Sequence, residues 1–244
     1  KLKTFDALIP EQQPSGYFTV LNITEDDITR EGGYPLPRQR LAEINTQLKE
    51  KGALGIGWVV AFPQPDRFGG DEAFKQSLED IPSVLAMFEG DNALYPNTTG
   101  TVILGEDVGG TPAAGVIQNI DLFKQSSQQG IAVARTEVDS LIRRLPLLLR
   151  TPDGWVPAYG TEVLKILAGA DTYVIKTNDN GLEEIRVKGL PPVPVDSLGR
   201  KWISFVNTPH TNLKDMDVKD KFVFIGYTAK GIMPQLATPV GLLE

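Results

Sequence analysis

The sequence predicts an α/β fold, with a mixed α+β fold as the alternative, in which helices cover a central, largely parallel sheet and β-hairpins are added. Three observations predict this class. Strand-like and helix-like patterns alternate along the first part of the chain. Residues 53–62 (ALGIGWVVAF) are nearly all apolar, which is typical of a central strand that is buried on both faces. Two turn sequences, TPDG and NDNG, each lie between β-rich runs and predict hairpins.

The first half of the chain predicts three strands joined by two helices. Pro37 stands at the start of a helical apolar pattern, and Gly52 ends the pattern after a lysine-rich last turn. A second helix begins near Asp71. Strand, helix and strand in this order favour a right-handed crossover between parallel strands. The predicted elements are strand 18–23, helix 37–51 with Leu41, Ile44 and Leu48 buried, strand 53–62, a helix from about 71 to Pro82 with Phe74, Leu78 and Ile81 buried, and strand 83–88.

The second half predicts hairpins, one helix and two late strands. Residues 90–130 are rich in glycine, threonine, asparagine and glutamine, and they predict loops with weak strands. Thr161 is predicted to cap a helix that ends at a glycine. The predicted strands are 147–150 with 155–159, 172–177 with 182–187, 202–207, and 221–227, the last of which we expect to be central.

The composition excludes several classes of function. Of the 244 residues, 31 are acidic and 24 basic, and the net charge of −7 argues against nucleic-acid binding and against docking on anionic lipid by charge alone. No cysteine is present, so disulfides, thiolate metal sites and a cysteine nucleophile are excluded. No apolar run approaches the roughly 20 residues that span a bilayer. The chain begins with Lys1, which indicates a fragment or a processed product.

Five stretches, in order along nearly the whole chain, carry a resemblance to one family. They begin with a proline-rich entry into the first helix and end with a glycine-containing strand that is followed by Thr-Pro. The stretches are GGYPLPR (32–38), GWVVAFPQPDRFGGDEAF (57–74), EVDSLIRRLP (137–146), VPVDSLGRKWISF (193–205) and KDKFVFIGYTAKGIMPQLATPVG (219–241). Together they resemble the second CHASE type, the cyclase- and histidine-kinase-associated sensory extracellular domain.

The resemblance implies a single extracytoplasmic domain over residues 1–244 that senses a ligand and is not itself an enzyme. It implies a periplasmic or cell-surface place in a membrane-bound bacterial receptor whose output is a nucleotide cyclase, a histidine kinase or a serine/threonine kinase. Residues 1–8 would continue a helix that leaves the membrane. No cofactor is implied. The implied partners are an unknown small ligand, the flanking membrane helices and, in a homodimer, a second copy of the chain.

The chain departs from the family pattern at several positions, most of them acidic in the family. Val59 stands where the family's strand carries an aspartate, Gln64 replaces a glutamate, and Ser140 replaces a glycine. Pro234 and Gln235 stand where another aspartate is expected. If those acids bind a cation or a polar ligand in relatives, this chain binds something different there, or nothing.

The loop FPQPDRFGGDEAF, residues 62–74, follows the predicted central strand. In one interpretation it only turns the chain, because its prolines end the strand and Asp71 caps the next helix. In another it borders a ligand crevice beyond the carboxyl end of that strand, and Arg67 with the amides of the helix start holds an anion. A metal site from Asp66, Asp71 and Glu72 is the third alternative. The loop matches neither an EF-hand nor a phosphate-binding motif, and we predict no metal.

A second group of charged residues lies further along the chain, at Asp139, Arg143 and Arg144. Adjacent strand residues face opposite sides, so one arginine points inward and needs a partner, since an unpaired buried charge is costly. The plainer interpretation is an arginine–aspartate pair that ties two elements together. The alternative is that arginines from both groups line a pocket for an anionic ligand. The predicted ligand-binding set is Arg38, Asp66, Arg67, Asp71, Asp139, Arg143 and Arg144.

Two other functions stay open. A soluble extracytoplasmic hydrolase or phosphatase would use Asp66 and Asp71 as an acid–base pair. A protein-binding adaptor would instead show an exposed apolar patch. Serine hydrolysis through His210, the only histidine, is disfavoured because no G-x-S-x-G elbow is present. One histidine without any cysteine is also a poor zinc site.

Overall fold

The structure is a computed structural model that describes residues 6, 12–91, 94–228 and 236–243. The predicted membrane-exiting tail, residues 1–8, lies outside the described residues except for Asp6, which is helical. In these parts of the chain, no helix combines the length and the apolar character that crossing a bilayer requires.

Helices and strands alternate in the first third of the chain, and short strands dominate the rest. The helices are α1 (Glu25–Arg30), α2 (Arg38–Glu50), α3 (Asp71–Glu79), α4 (Asp121–Lys124) and α5 (Tyr159–Leu167). The strands of the central sheet are β1 (Phe18–Ile23), β2 (Gly55–Trp58), β3 (Ser83–Glu89), β6 (Val116–Ile117), β7 (Gln128–Ala132), β15 (His210–Asn212) and β16 (Phe222–Tyr227). The other strands are β4 (Thr101–Leu104), β5 (Thr111–Pro112), β8 (Arg144–Pro146), β9 (Leu148–Thr151), β10 (Gly154–Pro157), β11 (Tyr173–Asn178), β12 (Gly181–Val187), β13 (Val193–Pro194), β14 (Arg200–Trp202), β17 (Leu236–Thr238) and β18 (Gly241–Leu243).

The central sheet is largely parallel. Its order is β15-β1-β16-β2-β3, and both β6 and β7 pair with β3. Every pair in it is parallel except β3 with β6. The late strand β16 lies between β1 and β2, so the expectation of a central strand over 221–227 is confirmed. With the smaller sheets beside it, the predicted class of α/β or mixed α+β is also confirmed.

Helices pack on both faces of this sheet. On one face, α2 and α3 bury their predicted apolar residues in a core that includes Trp58. The indole Nε1 of Trp58 donates to Asn45 Oδ1 (3.0 Å), and Asn45 Nδ2 donates to Ser77 Oγ (2.9 Å), so the polar groups inside this core are paired. On the other face, α5 packs Tyr159 against Phe222 and its neighbours.

The smaller sheets contain both predicted hairpins, which are therefore confirmed. β9 and β10 pair antiparallel around TPDG, and β11 and β12 pair antiparallel around NDNG. β11 also pairs in parallel with β4, and β12 with β13, which completes a four-stranded sheet. β5 joins β9 and β10 in a three-stranded sheet.

Two predicted strands are shorter than expected. The strand predicted over 53–62 spans only Gly55–Trp58. The N–H of Phe62 donates to the side chain of Asn119 (2.6 Å) rather than to a neighbouring strand, so the chain has already left the sheet there. The strand predicted over 202–207 ends at Trp202, because Ile203 makes one backbone bond to Arg143 and the next residues pair with no strand.

Two predicted helix caps are wrong. The N-cap of α5 is Ala158, and Thr161 is buried inside the first turn. The N-cap of α3 is Gly70, so Asp71 is the first helical residue. The carboxylate of Asp71 instead accepts the N–H of Asp66 (2.8 Å), which ties the loop to the helix start.

Candidate functional site

The predicted site residues fall into two clusters that share no partner among the described residues. The first lies at the edge of the central sheet where the parallel strands β1, β2 and β16 reach their carboxyl ends. Arg38 begins α2 at this edge, and the loop after β2 carries Asp66 and Arg67. Sheets of this kind place ligand crevices at this edge.

Asp66 fixes the loop to the start of α2. Its Oδ2 accepts the backbone N–H of Arg38 (2.8 Å) and of Gly70 (3.4 Å), and its Oδ1 accepts that of Phe68 (3.1 Å). Burial alone would raise the pKa of Asp66, but these backbone N–H groups hold the pKa below its usual value. Both oxygens of Asp66 are therefore engaged with the backbone.

Arg38 has a buried N–H donor, Nε, that no described residue accepts. Its guanidinium lies 4.4 Å over the ring of Phe62, and its side chain is only 12% exposed. Nε lies 3.8 Å from Oδ1 of Asp71, which is too long for a hydrogen bond. Both atoms are buried without a hydrogen-bond partner among the described residues. Burial lowers the pKa of Arg38, and the charges of Asp66 and Asp71 oppose that shift.

Arg67 has a different environment from Arg38. It is exposed, and its guanidinium lies 4.6 Å over the ring of Phe68, which is itself 59% exposed. Arg67 therefore extends the positive charge of this edge outward into solvent. Within the described parts of the chain, no group of three or more histidine, cysteine, aspartate or glutamate residues is arranged to hold a metal ion.

Replacing Asp66 by alanine is expected to lower the free energy of unfolding by about 1–2 kcal/mol at pH 7, because three N–H groups lose their acceptor. The folded-state pKa of Asp66 is lowered, so this contribution is present above the unfolded pKa of about 4 and is lost as the pH falls through the folded-state value. Urea unfolding of wild type and Asp66→Ala at pH 7 and near pH 2 measures both effects. An equal difference at both pH values would contradict this assignment.

The second cluster is built around Arg143, which is completely buried. Its Nε and Nη2 donate to the two carboxylate oxygens of Asp6 (2.6 and 2.8 Å), and Nη1 and Nη2 donate to those of Asp139 (2.7 and 2.8 Å). These bonds raise the pKa of Arg143, and the bond from Arg143 lowers the pKa of Asp139. Two bidentate carboxylates therefore take four of the five N–H donors of this guanidinium.

Arg144 is paired in the same way. Its Nε and Nη2 donate to both oxygens of Glu137 (2.7 and 2.8 Å), and Nη1 donates to Asp196 (2.9 Å). Its guanidinium also lies 5.2 Å from the ring of Trp202. These contacts are those of the plainer interpretation, in which the arginines tie elements together. A direct ligand contact by Arg143 or Arg144 stays a prediction.

The segment 137–144 also contacts the last described strands. The N–H of Ile142 donates to the carbonyl of Ala237 in β17 (2.9 Å). Ser140 turns the segment with a φ of +64°, a conformation that suits glycine, which is the residue of the family pattern at this position. Asp6, Glu137 and Asp196 were absent from the predicted site, and only the fold brings them to these arginines.

A family model described as the CHASE2 domain matches residues 1–244. No curated protein and no solved structure gave a significant match. Because the family match covers the whole chain, the chain belongs to the CHASE2 domain family, whose members are sensory extracellular domains of signalling receptors.

Proposed function

We propose that this chain is the ligand-sensing domain of a membrane-bound bacterial receptor, that it works outside the cytoplasm, and that it is not itself an enzyme. The observation that carries this proposal is the meeting of the two ends of the described chain at one segment. Asp6 pairs with Arg143, and the adjacent residue Ile142 bonds to Ala237. A domain that reports to two membrane helices needs its ends to respond together.

The route of the signal follows from these contacts. Arg143 has no exposed surface, and its four hydrogen bonds hold Asp6 against the segment 137–144. Movement of this segment therefore displaces the N-terminal and C-terminal ends at once. A ligand that binds one conformation better than another shifts the population, and the bias reaches the membrane through both ends. The output domain is a nucleotide cyclase, a histidine kinase or a serine/threonine kinase, and the receptor signals as a homodimer.

Arg38 is the residue of the predicted set best placed to contact an anionic ligand. It lies at the carboxyl edge of the sheet, and its buried Nε has no acceptor among the described residues. Asp66 and Asp71 position it, and Arg67 adds positive charge at the rim. In this proposal Asp139, Arg143 and Arg144 transmit the signal through their ion pairs.

The hydrolase alternative finds no supporting observation at Asp66 and Asp71. The lowered pKa of Asp66 favours its ionised form, which does not suit a general acid. Both of its oxygens accept backbone N–H groups, which opposes a role as nucleophile. Turnover of a phosphoester by the purified chain that is lost in Asp66→Asn would revive this alternative.

Replacing Asp6 by asparagine in the full receptor is expected to change its basal output at least about threefold, because the clamp on Arg143 loses its charge. The measurement is output activity in membranes, at matched expression. Asp26→Asn is the control, since Asp26 is exposed on α1 and makes no ion pair within the described chain. Equal basal output in Asp6→Asn, Asp26→Asn and wild type would contradict the proposed route.

A further inference from the structure

A polar cavity of about 200 Å³ lies between the β3–β7 edge of the central sheet and helix α5. One wall comes from the central sheet and α4, and includes Gln118, Lys124 and Gln129. The opposite wall comes from α5, β10 and residues 96–99, which lead into β4. The N–H of Thr99 donates to the carbonyl of Trp155 (2.8 Å), which anchors that wall to the three-stranded sheet. A molecule in the cavity would therefore bridge two sheets.

Two lysines and one glutamate line the cavity, and each lysine is ion-paired, Lys165 with Glu162 and Lys124 with Asp121, which lies outside the lining. Glu162 is 1% exposed; its Oε1 forms an ion pair with Lys165 Nζ (2.7 Å), and its Oε2 accepts the hydroxyl of Tyr173 (2.7 Å). Its charge is thus neutralised by an ion pair inside the wall. An ammonium group has three N–H donors, so Lys165 keeps two that have no acceptor among the described residues.

Lys124 is the second cation of the cavity. Its Nζ donates to Gln118 Oε1 (2.9 Å) and pairs with Asp121 (2.9 Å), which leaves one donor without a described acceptor. Gln129 is held in place by Asn119, which donates to its Oε1 (2.5 Å), and by Ser127, which accepts from its Nε2 (2.9 Å). The side-chain amides are therefore oriented before any ligand enters.

We propose that this cavity is a second ligand site, apart from the Arg38 edge, and that its ligand is a small hydroxycarboxylate, of the class of sugar acids. The inference rests on the proposed ligand-sensing function and adds a site and a ligand class to it. The carboxylate takes the spare donors of Lys124 and Lys165, and the hydroxyls bond to the fixed amides of the wall. The volume lies below the about 300–1,000 Å³ of pockets for larger ligands, so the ligand is no larger than a monosaccharide. Because it bridges two sheets, it couples their relative positions.

Calorimetric titration of the purified chain with gluconate and glycerate, against glucose, glycerol and acetate, tests this inference. At least one hydroxycarboxylate is expected to bind with a Kd below about 1 mM. The neutral polyols and acetate are expected to bind at least about tenfold more weakly, because they lack either the charge or the hydroxyls. Absence of measurable binding by both hydroxycarboxylates, or equal binding by glucose, would overturn the inference.

Lys124→Gln is expected to weaken the hydroxycarboxylate about tenfold or more, since it removes one charge-assisted contact. Lys124 is partly exposed, so this variant keeps its fold, which urea unfolding checks. Lys221→Gln is the matched control, because Lys221 is also paired with an aspartate at 2.9 Å but lies outside the cavity. Unchanged binding in Lys124→Gln would refute the site. Binding that depends on Lys124 while Asp6→Asn leaves receptor output unchanged would keep the site and remove the proposed route.

Discussion

Replacing Arg143 by alanine is expected to lower the free energy of unfolding by about 3 kcal/mol. The side chain is completely buried and makes four hydrogen bonds to two carboxylates, all of which the substitution removes. Asp6 is 17% exposed and Asp139 31% exposed, so both carboxylates regain some water, which puts the loss at the low end of the range for broken buried pairs. The substitution would also release Asp6 from the segment whose residue Ile142 bonds to Ala237.

Urea unfolding at pH 7 measures this loss, with Arg186→Ala as the control. Arg186 lies exposed on β12 and makes no ion pair within the described chain, so its removal should change the free energy of unfolding by less than about 0.5 kcal/mol. Equal stabilities of the two variants would mean that Asp6 and Asp139 do not hold Arg143 in solution.

Replacing Gly130 by alanine is expected to cost about 3 kcal/mol and to displace helix α5 from the central sheet. A Cβ at this position would lie 2.6 Å from Cα of Tyr159 and 3.0 Å from its backbone N. Both are backbone atoms, so no side-chain rotation relieves the overlap. Because α5 carries Glu162 and Lys165, the same change should weaken hydroxycarboxylate binding to the cavity.

Gly226→Ala provides the matched control for Gly130→Ala. Gly226 also lies in a strand of the central sheet, and a Cβ built there has no atom within 4 Å and needs no positive φ. Its replacement should change stability by less than about 1 kcal/mol. Thermal unfolding and gluconate titration of both variants compare them. A Gly130→Ala protein as stable as Gly226→Ala would contradict the close contact of α5 with β7.

Local sequence patterns predicted the elements that depend on neighbouring residues. The apolar spacing of Leu41, Ile44 and Leu48 placed α2 to within one residue at each end, because burial on one helix face requires that spacing. The Asn-Gly turn predicted the β11–β12 hairpin for the same local reason. The prediction that β16 is a central strand followed from the apolar character of residues 221–227.

The arrangement of the charged residues was not predictable from the sequence. The pair of Asp6 and Arg143 joins residues 137 positions apart, and no local pattern marks it. The predicted pocket drew arginines from two segments, but two carboxylates pair with each of Arg143 and Arg144, whereas Nε of Arg38 has no acceptor among the described residues. The cavity of Lys124 and Lys165 depends on how α5 packs beside β7, which only the fold determines.

Hydrogen exchange of the purified chain tests most directly the claim that one segment ties both ends together. Asp6→Asn is compared with wild type and with Asp26→Asn, and exchange is followed in peptides that cover 137–144 and 236–243. We predict faster exchange in both peptides of Asp6→Asn only, because release of Arg143 loosens Ile142 and its bond to Ala237. Unchanged exchange over 236–243 in Asp6→Asn would show that the two ends are independent and would contradict the account.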